Sequence, residues 1–325
     1  MLVPKYWAEA KSAHRINGKS FTLKRFGWSD TGETDAQRHA AQRLKEAEAE
    51  LFEEGTVRRV DHKVSYNGAE GLPIREEQLA IHGDVVVSRN AYGARCLNTP
   101  NVLFADIDVK TGVSLSEQKA AFFLLAALAA TALVLHWSWW LLLAVVIAVI
   151  SMTTTVAEWI HLIMAKSKPD PFDLARQKIE QVAVANPNLH LRLYQTPMGY
   201  RVLVMNQLFA PASEEAKTLM AALGTDDIYM LMCKNQHCFR ARLTAKPWRI
   251  GVDRLRPVPG VWPVNPSRLD ERKQWVSEYE AKAKHFAACH YIAQFGPTEI
   301  IAEAKRVMEL HDKECRAENT ALPLA

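Results

Sequence analysis

Ala120–Ala157 reads AAFFLLAALAATALVLHWSWWLLLAVVIAVISMTTTVA, 38 residues without an Asp, Glu, Lys or Arg. As one helix it would be about 57 Å long, nearly twice the roughly 30 Å hydrocarbon core of a bilayer. The run is therefore expected to fold back. Ala120–Leu135 is apolar apart from Thr131, and Trp139–Ile150 is wholly apolar. His136-Trp137-Ser138-Trp139-Trp140 between them has the polar-aromatic character of a membrane interface. These features predict a two-helix transmembrane hairpin over residues 118–164, the part of the chain that would contact the lipid bilayer. A buried hairpin of a soluble protein, and one span paired with an interfacial helix, are the competing readings.

The flanks set the orientation. Lys110 and Lys119 precede the run, and Lys166, Lys168, Arg176 and Lys178 follow it, whereas the turn carries no Lys or Arg. The positive-inside rule then places both flanks, with the N- and C-termini, in the cytoplasm. Met1-Leu2-Val3-Pro4-Lys5 lacks the apolar region of a secretory signal, so insertion is expected to be driven by the internal hairpin.

Working outward, the 325 residues carry 40 Lys+Arg against 36 Asp+Glu, a formal charge of +4. That is too mild to imply nucleic acid by itself. Hydrophobic residues make up 49% and charged residues 23%, which excludes a disordered or collagen-like chain. Five Cys, odd in number and irregular in spacing, argue against a secreted disulfide scaffold and fit a reducing compartment.

The remainder alternates short strands and helices. Arg15–Leu23 predicts a β-hairpin turning on Asn17-Gly18. Thr34-Asp35-Ala36-Gln37 reads as a capping box for a charged helix that Gly55 ends. Val57–Val64, Asp84–Ser88 and Val102–Ile107 read as strands, with a Gly/Pro loop at Asn67–Pro73. After the hairpin, Asp173–Ala185 reads as helix, Leu189–Tyr194 and Tyr200–Met205 as a strand pair, and Glu214–Leu223 as a helix stopped by Gly224. Asp270–Phe295 and Thr298–Glu318 read as two amphipathic helices. The pattern predicts one α+β cytoplasmic domain, RRM-like in outline, interrupted by the hairpin. Its first half covers residues 1–115, its second half 170–265, and the C-terminal helices 268–318.

Val102-Leu103-Phe104-Ala105-Asp106-Ile107-Asp108 is the sharpest chemical signal. Alternate residues of a strand share a side, so Asp106 and Asp108 project together, and a divalent cation would relieve their repulsion. That makes them the candidate ligands of Mg²⁺ or Mn²⁺ in phosphoryl chemistry. The plainer reading is a turn cap beside a solvated carboxylate. Residues 239–256 carry six cations against Asp253 alone. Arg240 and Arg242 alternate on a strand and, with Lys246 and Arg249, could engage phosphates, while Phe239 and Trp248 could stack on a base. Anionic lipid headgroups and ordinary salt bridges compete for the same cations. Thr196-Pro197-Met198-Gly199-Tyr200-Arg201 is a Gly-containing turn with Arg201 emerging on the next strand, a further phosphate candidate beside the simple β-turn reading. Cys233/His237, His285/Cys289 and His311/Cys315 have i,i+4 spacing but match no standard zinc signature, and the first pair sits in a strand-like region. P-loop, α/β-hydrolase and zincin motifs are absent from the sequence.

Two resemblances rest on these segments. Tyr66–Glu77, Asn101–Asp108 and Phe239–Arg249 together resemble a group of uncharacterised bacterial inner-membrane proteins, a likeness that spans most of the chain and implies no activity. The order of an apolar strand ending in D-x-D, a small-residue turn into a strand, and an Arg-bearing strand is similar, in degenerate form, to archaeo-eukaryotic primase-polymerase cores. That resemblance implies metal binding at Asp106 and Asp108 and a nucleotide-phosphate contact in Thr196–Arg201. Here Arg201 stands where the family has His. The third carboxylate stays open among Asp226, Asp227 and Asp253.

Two functions follow as expectations. One is a membrane-tethered protein binding a phosphate-bearing ligand, a nucleotide or nucleic acid, with nucleotidyl or phosphoryl transfer as its reaction. The other is a non-catalytic membrane module whose basic segment binds anionic lipid or a protein partner. The residues alone do not decide between enzyme and module.

Overall fold

The computed structural model describes residues 3–16, 18–61, 72–134, 139–165, 169–260 and 262–325. The chain is a mixed α+β protein that separates by its contacts into two units. Met1–Asp108 and Lys178–Ala325 form one, and Val109–Gln177 the other.

The first unit starts with a long hairpin, β1 (Tyr6–Ile16) and β2 (Lys19–Ser29), paired from Tyr6↔Ser29 to Ile16↔Lys19. Gly18 takes the left-handed conformation (φ 77°) that its turn requires. Helix α1 (Glu33–Glu54) lies across this hairpin on a narrow stripe of Ala36, Ala40, Ala47 and Leu51. Small residues let the backbones approach closely. A Cβ on Gly27 would come within 2.1 Å of Ala40 N and 2.3 Å of Ala36 O. The helix stops at Gly55, whose N–H donates to Leu51 O.

Two four-stranded antiparallel sheets follow. One has the order β3 (Glu77–His82), β4 (Val85–Arg89), β5 (Arg95–Thr99), β9 (Phe239–Arg242). The other runs β10 (His290–Phe295), β7 (Leu191–Thr196), β8 (Gly199–Val204), β6 (Phe104–Asp108). Each sheet joins strands that precede Val109 in sequence to strands that follow Gln177. Strand β5 pairs with β9, and β6 pairs with β8 in a register that sets Asp106 opposite Arg201 and Asp108 opposite Gly199. Strand β8 is buried along its whole length, as expected for a strand covered on both faces. Helices α5 (Glu214–Leu223), α6 (Asp227–Gln236), α7 (Leu269–Ala283) and α8 (Ala302–Cys315) complete this unit. Among the described residues β6 pairs only with β8, and the strands divide among the β1–β2 hairpin and the two four-stranded sheets, so the expected RRM-like arrangement is not shown.

Several expectations change in the structure. Helix α1 begins at Glu33 with Gly32 as its cap and no side-chain cap bond, so Thr34 and Gln37 form no capping box. Val57–Val64 contributes only a bridge at Val60, and its last residues, like most of the Asn67–Pro73 loop, lie outside the described residues. Cys233 sits on a helix, α6, that ends at a left-handed His237 (φ 50°), not in a strand. The helix expected over Asp270–Phe295 ends at Ala283, because the charged periodicity stops near His285. His-Tyr-Ile-Ala-Gln-Phe then alternates as an edge strand against β7.

The second unit contains α2 (Leu115–Val134), α3 (Trp139–Ala165) and the first half of α4 (Pro171–Ala185), up to Gln177. Helix α2 opens on a working capping box: Glu117 N donates to Ser114 Oγ (3.2 Å) and Ser114 N to Glu117 Oε2 (2.7 Å). His161 Nδ1, near the end of α3, bonds the same Glu117 Oε2 at 3.1 Å, so the two helices are antiparallel. Among the described residues one stretch, the 23 residues Leu143–Ala165 of α3, is long and apolar enough to cross a membrane, and it is 6% buried. The two-span expectation is not reached on that criterion. The uncharged part of α2, Ala120–Val134, would extend only about 22 Å as helix, and residues 135–138 at the expected turn lie outside the described residues.

Gly27→Ala is expected to force α1 off the β1–β2 hairpin and to lower stability by about 1–3 kcal/mol. Urea denaturation followed by circular dichroism would show an unchanged midpoint if the contact were loose.

Candidate functional site

The register of β6 against β8 brings Asp106 and Asp108 to a cavity of about 350 Å³ within the first unit. Its lining also includes Asp226, Arg201, Arg240, Arg242, Lys246 and Arg249. The carboxylates and cations singled out in sequence thus share one cavity, although more than 90 residues separate Asp108 from Arg201.

The acidic side is built by two elements. Asp226 caps α6, accepting from Tyr229 N (2.9 Å), and its own N–H donates to Asp106 O (3.1 Å). This bond seats the start of α6 on the D-x-D strand. Tyr229 Oη lies 3.1 Å from Phe104 O and 2.9 Å from Arg240 O, so it ties β6 to β9. Of the open choices for a third carboxylate, Asp226 lines the cavity and Asp227 and Asp253 do not.

The cations divide into two groups. Arg201 is 2% exposed and its guanidinium is committed inward: Nε donates to Asp106 Oδ1 (3.0 Å) and Nη1 to Arg242 O (3.0 Å). Burial alone would lower its pKa, but Asp106 more than offsets this and the shift is upward. Arg240 is likewise buried and bonded to Glu76 Oε2 (2.7 Å), which also accepts from Ser88 Oγ (2.6 Å). Burial is again outweighed by the paired carboxylate, and Arg240 is held well above its usual range. Arg242 donates to Thr244 O (2.7 Å) and Ala325 O (3.2 Å).

Lys246 and Arg249 differ. Among the described residues neither forms an ion pair or side-chain hydrogen bond. Lys246 Nζ lies 5.7 Å from the centroid of the largely exposed Trp248 ring. Desolvation first, then repulsion by Arg242, lowers the pKa of both, with Lys246 and Arg249 also opposing one another at the Lys246 ammonium. Asp108 is the mirror image. Its residue surface is open to solvent, yet its carboxyl is raised, first by partial desolvation and then by Asp106, with a smaller contribution from Asp226, against Lys246 and Arg249. Asp106 is thus paired with Arg201, whereas Asp108 on the acidic side and Lys246 and Arg249 on the basic side have no ion pair among the described residues.

Several lining residues had no signature in the sequence. Glu76 became visible only through its partner Arg240. Asn90 was detectable in principle: Oδ1 accepts from Tyr92, Gly93 and Ala94 N (3.2, 3.0 and 3.0 Å), the Asx-type turn that Asn-x-x-Gly favours. The aspartates do not form a tight triad. Among the described residues, the three ligand-type side chains with all ligand atoms within 4.8 Å of one another are Cys289, His311 and Cys315. Sequence spacing had split these into separate pairs. No family model, curated protein or solved structure matches the chain.

The two aspartates should respond oppositely to neutralisation. Asp106→Asn leaves buried Arg201 short of its counter-charge, and stability should fall by about 1–3 kcal/mol. Asp108→Asn removes repulsion. Because the folded pKa of Asp108 is raised, its penalty exists only when the carboxyl is ionised, so the gain should be present near neutrality and vanish as pH falls through the carboxylate range. Urea midpoints of both variants at about pH 7 and about pH 3 check this; equal losses for both would contradict it.

Proposed function

We propose that this cavity binds a phosphate-bearing ligand, a nucleotide or nucleic acid, together with Mg²⁺ or Mn²⁺. The observation that carries the reading is the uncompensated charge. Asp108, beside Asp106, faces the cavity from one strand, and Lys246 and Arg249 face it without ion pairs among the described residues. A divalent cation with phosphates satisfies both ends at once, since Mg²⁺ is typically held by one or two carboxylates with the rest of its shell from phosphate and water. Asp106 and Asp108 would hold the metal, with Asp226 lining the same cavity as a further carboxylate. Lys246, Arg249 and Arg242 would meet phosphate oxygens, and Trp248 with Tyr92, 5.3 Å apart in an edge-on pair, offers a surface for a base. Arg201 and Arg240 would act from behind, fixing Asp106 and β9. Nucleotidyl or phosphoryl transfer is the reaction such a site supports.

Titration of Mn²⁺ and ATP into the detergent-solubilised chain tests it. Binding should require Mn²⁺ and weaken at least about tenfold, 1.4 kcal/mol, in Asp108→Asn and in Lys246→Gln. Asp108→Asn is the cleaner probe, because Asp106 also serves Arg201. Metal-independent binding, or none in the folded protein, would remove the enzyme reading.

We further infer that α2 and α3 insert as a hairpin in a bacterial inner membrane with both flanks cytoplasmic. The antiparallel pairing through Glu117 and His161, the unburied apolar surface of Leu143–Ala165 and the flanking Lys residues support this. A non-catalytic module reading anionic lipid through Arg242, Lys246 and Arg249 is the alternative, favoured by the lack of ion pairs at Lys246 and Arg249 among the described residues. Carbonate-resistant membrane association, with tags at both termini digested only from the cytoplasmic side, is expected. A terminus protected from cytoplasmic protease would leave a single span.

A further inference from the structure

A second cluster of reactive side chains lies behind Arg201. Cys289 precedes β10, and His311 and Cys315 stand i,i+4 on one face of α8, which sets two ligand atoms side by side. Their exposures are 0, 0 and 1%. Cys289 Sγ is 3.8 Å from His311 Nε2, and the three ligand atoms all lie within 4.8 Å of one another. Tetrahedral zinc with bonds of about 2.3 Å to sulfur and about 2.0 Å to nitrogen needs ligand separations of roughly 3.5–3.8 Å. The cluster is thus at, or slightly wider than, the size of an ion's coordination shell.

The surroundings choose the right imidazole nitrogen. His311 Nδ1 lies 3.0 Å from Asp312 Oδ1 and donates its proton there, which leaves the Nε2 lone pair facing the two sulfurs. Asp312 is held in turn by Tyr194 Oη (2.7 Å) and Arg192 Nη2 (2.7 Å). A carboxylate behind the distal nitrogen is the usual support of a metal-binding histidine. We propose that Cys289, His311 and Cys315 form a buried site for a single zinc-type cation, held by two thiolates and one imidazole.

The charges balance. Two thiolates neutralise a divalent ion, while the adjacent Arg201 and Arg192 are each matched by a carboxylate, Asp106 and Asp312. Arg201 Nη1 now lies 3.2 Å from His311 Nε2, and that lone pair cannot accept its N–H and bind a metal at once. Metal binding therefore turns this N–H wholly to Arg242 O, 3.0 Å away, and leaves the Nε bond to Asp106 in place. The fourth metal position is then free for water or for movement of a neighbouring group. The site is independent of the phosphate-ligand reading, since none of its three ligands lines the cavity.

Metal analysis of the full chain, purified in detergent under reducing conditions, tests the proposal. Stoichiometric zinc is expected, lost in Cys289→Ser and Cys315→Ser and retained in Asp108→Asn. Asp312→Asn should weaken zinc about 10–100-fold, as loss of a supporting carboxylate does. Should the cysteine variants fail to fold, cobalt added to the metal-free wild-type chain decides. Sulfur-to-cobalt charge-transfer absorption with tetrahedral visible bands supports the site. A chain with neither zinc nor that spectrum overturns it, as does a Cys289–Cys315 disulfide whose reduction gives no cobalt binding.

Discussion

A guanidinium inside a strand that is otherwise wholly apolar or aromatic is tolerable only with its charge matched on the spot, and Arg201 meets that condition through three neighbouring elements. Its Nε bond reaches Asp106 on β6, Nη1 reaches the carbonyl of Arg242 at the end of β9, and the same nitrogen touches His311 on α8. Removing any of these leaves a buried cation short of a partner, which costs far more than such an ion pair contributes net. The two four-stranded sheets are consequently held together by electrostatics at their shared edge, in addition to the Tyr229 hydroxyl bridging Phe104 and Arg240 carbonyls. Arg240 with Glu76 repeats the device one strand away, and Glu76 is itself bonded to Ser88 on β4.

The same interaction explains the division of labour at the cavity. Inward-facing arginines are saturated by carboxylates and carbonyls, so they set geometry. Lys246 and Arg249, on the short turn after β9, lie where no carboxylate among the described residues reaches them. Asp108 ends β6 and the two cations flank a Pro-initiated turn, so opposite charges reach the cavity from different elements.

What the sequence made legible was local. Glu214–Leu223 with its Gly224 stop was readable because periodicity and stop lie within a dozen residues, and the structure adds Ser213 as its cap. Asp106 and Asp108 were readable as a pair because strand geometry alone puts them on one side. Asp226 was not distinguishable from Asp227 or Asp253, since its place depends on a backbone bond to a residue 120 positions earlier. The role of Arg201 was equally hidden: nothing in Met-Gly-Tyr-Arg says that the arginine faces inward, and only the register of β6 on β8 supplies Asp106. His290–Phe295 was hidden by the charged helix before it, and the Cys289, His311 and Cys315 cluster by a separation of 22 residues between its first two members. In the second unit, the 38-residue uncharged run gave the apolar helix directly, whereas the capping box expected at Thr34 does not form and one forms at Ser114 instead. A four-residue pattern cannot tell which of its occurrences tertiary packing will use.

All five cysteines are free and buried, on β5, on α6, just before β9, just before β10 and at the end of α8. A thiol reagent can reach none of them until its element opens, so Cys96, Cys233 and Cys238, outside the proposed metal site, are built-in reporters of local unfolding. Under slow labelling, the rate at each position measures how often that part of the fold breathes. Those three would follow β5, α6 and the entry to β9 in one chain and without an introduced probe.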